Sequence, residues 1–419
     1  MKPTILMLPS WYPVNGSVAG SFFREQALAM QENFNFVVLV YTEKKILAPL
    51  FFLRNLLGMN KPKIWYNRND NGLEEFFGTI FVPKYYLLGI ALFKLRRFIY
   101  KNKVLQQGVG LIEPKHVVKA RNKGASLIKK KNLLPHFDCV LGQSAQDMAA
   151  VSQAFAQQYN VPYIVSEHGP FPWPGSVVSD VSANAIEMAD AFLAISNDKI
   201  RQVLLQNISI NPWYVGNMVD DTLYTLKQTE NTEKTFVIVA AHSFYKNYDM
   251  FIKTMEYLKD IAQKKFKILI VGYGANKGYS KNAEILEEKI RQSNFSDIAE
   301  LIPSVSREDM PSIYNRADAF VMTSIQEGMP VSALEAAMSG LPIFSTRCGG
   351  VEDYVDDKIG KIVSLLDYQG LAHACNDFLN GTVVYDPVHI RTTVLSKFGK
   401  KAFVQNMSEA FYSVLKEHP

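Results

Sequence analysis

Apolar residues in this chain gather in short unbroken runs, each followed by a polar, glycine-containing loop and then a stretch with helical spacing. Ala319–Met322 is such a run, and the lack of polar alternation predicts a strand covered on both faces of a parallel sheet. Thr323–Met329 is polar and predicts the loop at its carboxyl end. Pro330 suits a first helical turn, and Val331, Leu334, Ala337 and Met338 recur at helical spacing up to Gly340 and Pro342. The strand pattern repeats at Thr4–Leu8, Phe36–Tyr41, Asp138–Gly142, Pro162–Ser166, Ala191–Ile195, Phe236–Ala240, Lys267–Val271 and Asp297–Pro303. Ser196 is a candidate N-cap for a helix from Asn197, and a further helix is expected from Ser312. The tail Ser396–Lys416 carries Phe398, Phe403, Met407, Phe411 and Leu415 at helical spacing. This alternation predicts doubly wound α/β architecture, and 419 residues exceed one ordinary core, so two domains are expected.

In open parallel sheets ligands bind at the carboxyl ends of strands, which makes the strand-end loops the candidate site. Glu327 and Glu335 bracket the start of one helix, with seven residues between them. A phosphate can be held at that helix N-terminus. Glu335, about two turns in, can accept from a vicinal diol such as a ribose. Glu327 falls at the far end of a nucleotide-linked ligand, so a sugar joined through a diphosphate spans the site. Alone, such a pair is better read as two surface acids. Lys246 follows a strand by a short loop and can reach a phosphate as a point charge. His168 and Gly169 end another strand beside a loop carrying Phe171 and Trp173, which read either as stacking surfaces or as core. Gly16 and Gly20 follow the first strand, where glycine lets backbone approach an anion.

The whole string from Ala317 to Val355 resembles the E-x7-E region of retaining glycosyltransferases of the GT-B fold, family 4. Ser324, Glu327, Gly328, Pro330, Leu334, Glu335, Ala336, Gly340, Pro342, Gly349, Gly350 and Glu352 fall in the family's places. The resemblance implies two Rossmann-like domains facing across a cleft. Residues 1–215 would form the acceptor domain and 216–399 the nucleotide-sugar domain, with a last helix at about 400–419 packing back on the first. Val215, Asn217, Val219, Asp220 and Tyr224 match the family's boundary string, where Asn217 and Asp220 shape the hinge. The Trp-Tyr-Pro opening resembles polysaccharide-building members, which places Gly20, helped by Gly16, opposite the donor diphosphate. Ser-Glu-His-Gly resembles the strand-end motif in which the His, here His168, contacts the donor sugar, and it leaves Glu167 a contact to the acceptor. Gly272 and Gly274 resemble the second glycine loop, near the nucleotide, and Val305 and Ser306 fall where backbone reads the base. The family's Arg five residues before Lys246 is Ala241 here. His242 or Arg24 substitutes for it, or Lys246 acts alone.

The implied reaction is transfer of a hexose or N-acetylhexosamine from a nucleotide-diphosphate sugar to a hydroxyl, with retention and without a metal or other cofactor. Lys246, Gly20 and the backbone across Gly328, Met329, Pro330 and Val331 would stabilise the leaving diphosphate. Asp220-Asp221 lies in the boundary string and is discounted as a metal motif. A GT-B sugar-nucleotide epimerase, a phosphorylase-like enzyme and a non-catalytic nucleotide-sugar-binding scaffold are the alternatives. The first would need acids in a different frame, and the second a cofactor lysine for which no signature is present.

Composition adds location. Hydrophobic residues at 48% and charged residues at 20% fit a globular protein, and three isolated cysteines give no disulfide or metal spacing, which fits a reducing cytosol. The amino terminus reads as a strand rather than a signal peptide, and no apolar run reaches spanning length. The net charge of +5 conceals 19 Lys and Arg against 4 Asp and Glu between Lys44 and Lys131. Ile46–Gly58 and Tyr85–Lys103 are apolar there with basic edges, an insertion expected to be mostly helical and to hold acceptor-side surface. Such segments suit an anionic membrane surface or, equally, a core helix with a solvated basic face. No nucleic-acid motif accompanies the charge. A cytoplasmic enzyme, peripheral at the inner face of the membrane and acting on a glycan or lipid-linked glycan of a lipopolysaccharide or capsule pathway, is the resulting expectation.

Overall fold

The computed structural model describes residues 2–12, 20–47, 50, 53–54, 56–57, 59, 63–68, 73–84, 115–173, 176–227, 231–274 and 281–418. Gly16 and the segment 85–103 lie outside these residues. The chain divides into two compact units, one of Met1–Ala194, Ile200–Tyr214 and Asn406–Pro419, the other of Ile195–Lys199 and Val215–Gln405.

The N-terminal unit is built on eight strands: β1 (Thr4–Pro9), β2 (Asn35–Leu47), β3 (Lys63–Arg68), β4 (Glu74–Lys84), β5 (Cys139–Gln143), β6 (Tyr163–Glu167), β7 (Ala191–Ala194) and β8 (Pro212–Tyr214). Their order is β3-β4-β2-β1-β5-β6-β7-β8, parallel except for the β3–β4 pair. The apolar runs of β1 and β5 are buried along nearly their whole length, because helices cover both faces. From β1 the chain first builds outward through β2, then returns to the other side of β1 as β5. The crevice between the carboxyl ends of β1 and β5 is therefore a switch point.

The C-terminal unit is a six-stranded, wholly parallel sheet of β9 (Lys234–Val239), β10 (Phe266–Val271), β11 (Ala299–Ile302), β12 (Ala319–Met322), β13 (Ile343–Thr346) and β14 (Gly360–Val363), in the order β11-β10-β9-β12-β13-β14. Its switch point falls between β9 and β12. The segment Val331–Met338 is helical as its spacing predicts, with Ala333, Leu334, Ala336, Ala337 and Met338 buried. Pro330 precedes it at the cap rather than inside the first turn.

Two expectations change. The basic insertion is part helix and part strand where it is described: Leu50, Leu53, Arg54 and Leu56 and the segment Lys115–Lys130 are helical, while β2 continues to Leu47 and β3 and β4 extend the sheet edge. The strands there are set by pairing along the sheet edge, which helical spacing does not register. The tail is two helices, Pro387–Phe398 and Lys400–Glu417, separated at Gly399. In the second, Phe411 and Tyr412 pack on Phe34 at 5.1 and 4.9 Å between ring centroids, and Asn33 donates to Ser408 at 2.9 Å.

The entry to the C-terminal unit is fixed by one buried carboxylate. Asp318 accepts from the Thr235 N–H at 2.9 Å, from Asn231 Nδ2 at 2.7 Å and from Lys227 Nζ at 2.8 Å. Removing it leaves Lys227, itself mostly buried, without its counter-charge. Asp318→Ala should therefore cost about 3 kcal/mol. The loss will read as a lower urea midpoint with the slope unchanged.

Candidate functional site

In the C-terminal unit the loops after β9, β12 and β13 are sewn to one another by backbone. After β9, Tyr248 donates to the Ala240 carbonyl at 2.6 Å, and residues Phe244–Lys246 form a single 3-10 turn. Asn247 follows at φ 48°, and its side chain caps the helix Tyr248–Ile261 by accepting from the Met250 N–H. After β12, Thr323 Oγ1 lies 3.1 and 3.2 Å from the carbonyls of Lys246 and Asn247, and the Ile325 N–H donates to Tyr245 at 2.7 Å. After β13, the Cys348 carbonyl accepts from the Glu327 N–H at 2.7 Å, and Thr346 Oγ1 donates to Ser324 at 2.6 Å.

This stitching brings Lys246 Nζ to 2.6 Å from Glu327 Oε1, with side chains 26% and 13% exposed. Cation and anion thus stand at the β9–β12 switch point, where an open parallel sheet binds its ligands. The helix from Val331 begins beside them; the N–H groups of Ala333 and Leu334 donate to the Pro330 carbonyl, which leaves those of Val331 and Ser332 at its open end. Asn217, buried, donates to the Met329 carbonyl at 3.0 Å and fixes the loop from beneath. Glu335 is buried, and its Oε2 accepts from the Tyr314 hydroxyl at 2.9 Å. Burial first, and the charge of Glu335 second, push the Tyr314 and Tyr224 hydroxyls well above the ordinary tyrosine range. Both hydroxyls therefore stay protonated; Tyr314 donates to Glu335, whereas the buried Tyr224 hydroxyl has no hydrogen-bond partner among the described residues.

Other residues singled out in the sequence take different parts. The Gly272 and Gly274 N–H groups donate to the carbonyls of Ile302 and Pro303, so these glycines shape the end of β10 rather than offering N–H groups to a ligand. Ser306 donates to Asp309 at 2.7 Å and accepts from its N–H. Asp220 accepts from Thr222 and Leu223 and shapes a turn. His242 lies parallel to Tyr248 at 5.6 Å, and burial pulls its pKa below the usual histidine value, so it is neutral near pH 7 and adds no fixed charge beside Lys246. Arg24 belongs to the N-terminal unit, where its Nε is 3.3 Å from the buried Glu75. Among the described residues no group of three or more His, Cys, Asp or Glu is placed to hold a metal ion.

In the N-terminal unit Gly20 has φ 77°, and a Cβ there would meet the Trp11 carbonyl at 2.5 Å. The helix Ser21–Ala29 that follows lays Phe22 and Phe23 against the ring of His168, at 5.3 and 4.9 Å. His168 Nε2 is 2.7 Å from Gln143 Oε1 and 2.6 Å from Ser166 Oγ. With the amide in this orientation, Nε2 carries the proton. Glu167 is buried, and its carboxylate accepts from the N–H groups of His168 and Gly169, both at 2.8 Å, and of Gln146. It holds the strand-end turn instead of facing an acceptor. Phe171 lies in the core, whereas Trp173 is half-buried over Gly169 and edge-on to Trp11 at 5.8 Å. Gln143, Ser166, Tyr314 and Thr323 are given no role by the sequence; they sit in strands, helices or loops with no local signal, and folding sets them against His168, Glu335 and Lys246. Asn217, read from the sequence as shaping the hinge, holds the Met329 carbonyl.

Residues 225–389 match the family model described as glycosyl transferases group 1. A D-inositol 3-phosphate glycosyltransferase of Corynebacterium urealyticum is 31% identical over 115 residues, which are 27% of this chain and 27% of that protein. The aligned segment thus spans about a quarter of that curated relative. A sucrose-phosphate synthase of Thermosynechococcus elongatus superposes with a TM-score of 0.67 at 16% identity, over 99% of this chain and all of the other. The Anabaena protein HepE, crystallised with UDP and glucose, superposes with a TM-score of 0.64 at 13% identity, over 98% of this chain and all of the other. The fold of this chain is the GT-B fold of such enzymes.

Gly350, at φ 65°, lets the β13 loop approach the Glu327–Gly328 backbone, since a Cβ there would come 2.2 Å from the Gly328 carbonyl. Gly381 has φ 80° with nothing within 4 Å of a Cβ. Gly381→Ala should cost about 1 kcal/mol, the backbone strain alone. Gly350→Ala should cost about 1–3 kcal/mol more, because the overlap is with backbone. Urea unfolding of the two variants compares them directly.

Proposed function

We propose that the chain is a retaining glycosyltransferase that moves a hexose or N-acetylhexosamine from a nucleotide-diphosphate sugar to a hydroxyl of a glycan or lipid-linked glycan. The observation that carries the reading is the Lys246–Glu327 pair, cation and sugar-binding acid 2.6 Å apart at the β9–β12 switch point. The matching family model over residues 225–389, which contain this pair, supports it. So does the crystallisation of HepE, which shares the fold, with UDP and glucose.

In this reading the diphosphate lies against Lys246 and the N–H groups at the start of the Val331–Met338 helix. Glu327 holds the sugar hydroxyls and Glu335 the ribose. As the bond from C1 to the phosphate oxygen breaks, negative charge grows on the leaving diphosphate, and Lys246 together with the helix N-terminus stabilises it. The acceptor oxygen bonds to C1 on the face that the phosphate leaves, and its proton passes to the leaving phosphate. No metal or other cofactor is needed when fixed donors supply this stabilisation.

A thermal-shift series with UDP, GDP, ADP and CMP and their sugar conjugates tests the reading. A ligand bound by the folded state alone raises Tm, so one nucleotide should do so, and the rise should shrink in Glu335→Ala. Lys246→Ala should lower kcat about 10²- to 10³-fold, the loss expected on removing one donor to developing charge. No rise with any nucleotide would remove the support that the Glu327–Glu335 pair gives to this reading.

The membrane assignment rests on the same basic region. Leu50, Leu53, Leu56, Leu57 and Met59 are exposed there beside Arg54. Among the described residues no helix is long and apolar enough to cross a membrane. Flotation with vesicles should therefore show binding that requires anionic lipid and falls with salt. Absence of binding at low salt with either vesicle type removes the membrane from the reading.

A further inference from the structure

The turn that delivers Lys246 also carries the most exposed aromatic side chain among the described residues. Phe244 is 77% exposed, two positions before Lys246. Nothing in the turn requires an aromatic group there. The turn closes through backbone alone, with the Lys246 N–H donating to Ser243 at 3.1 Å and the Asn247 N–H to Phe244 at 3.2 Å. Nor is it loose, because Thr323 and Ile325 fasten the same turn to the β12 loop. Tyr245, packed edge-on at 5.5 Å, supports the Phe244 ring from one side. A rigid turn thus holds a bare aromatic ring beside the cation of the donor site.

We propose that Phe244 is a stacking platform for a pyranose ring of the acceptor, and so a specificity-determining residue. The inference rests on the donor reading above, which assigns the donor's own sugar and ribose to Glu327 and Glu335 and leaves Phe244 without a role. The chemistry of the surroundings selects a sugar. One apolar ring in a turn whose neighbouring positions in the chain are the polar His242, Ser243 and Lys246 matches a pyranose, which has a C–H face and a rim of hydroxyls. A lipid chain would call for a larger contiguous apolar patch. A ring held in place by its turn loses little freedom on binding, so its contact is not cancelled by ordering.

The test uses the full chain, methyl and octyl glycosides of glucose, galactose, mannose and N-acetylglucosamine as acceptor probes, and whichever nucleotide sugar raises Tm. In Phe244→Ala, KM for the methyl glycosides should rise about three- to tenfold, the range of an aromatic contact. The thermal shift with the nucleotide should persist, and Phe244→Trp should restore KM. A KM for methyl glycosides that does not move in Phe244→Ala overturns the platform. So does a loss confined to octyl glycosides, which would identify a lipid contact, or the failure of every glycoside to accept while the nucleotide still binds. Absence of any nucleotide shift in the wild type overturns the donor reading itself, a result separate from these.

Discussion

The C-terminal unit depends on the reversal of strand order between β9 and β12. Because the chain builds outward from β9 and then returns to its other side, the loops after these two strands diverge from adjacent positions and leave a crevice. Lys246 rises from one lip and Glu327 from the other. The backbone bonds from Thr323, Ile325 and Glu327 join the β9, β12 and β13 loops, so the pair stands on a fixed frame. The glycines at 349 and 350 are a consequence of the same crowding, since side chains there would collide with the backbone of residues 327 and 328.

Partly burying an ion pair gains little stability, because desolvation offsets most of the attraction. Asp318 shows the structural use of such a pair: buried, ringed by donors and placed at the amino end of its strand. The Lys246–Glu327 pair differs in lying at the carboxyl edge, with Lys246 partly exposed, beside a helix N-terminus. That placement suits exchange of partners with an anionic ligand more than it suits holding the fold together.

The N-terminal unit uses the same plan with other chemistry. His168 is aligned by Gln143 and Ser166 and walled by Phe22 and Phe23, while Glu167 is occupied with backbone N–H groups. Two neighbouring residues of one motif thus have separate tasks, one orienting a ring and the other stabilising the turn that presents it.

The sequence by itself determined the doubly wound α/β class and the positions of most strands, because unbroken apolar runs and helical periodicity are local consequences of burial on both faces of a sheet. It also placed Lys246, Glu327 and His168 at strand ends and Glu335 on the helix that follows, since glycine, proline and polar residues mark where strands stop. Tertiary structure decided the rest. That β2 runs on to Leu47 and that β3 and β4 extend the sheet edge depended on pairing partners distant in the chain. That Phe171 is core and Trp173 half-open, that Gly272 and Gly274 bond to β11, and that Glu167 turns inward followed from three-dimensional neighbours. So did the meeting of Lys246 with Glu327 across 81 positions of sequence. Periodicity reports which face of an element is buried, but it carries no record of what lies against that face.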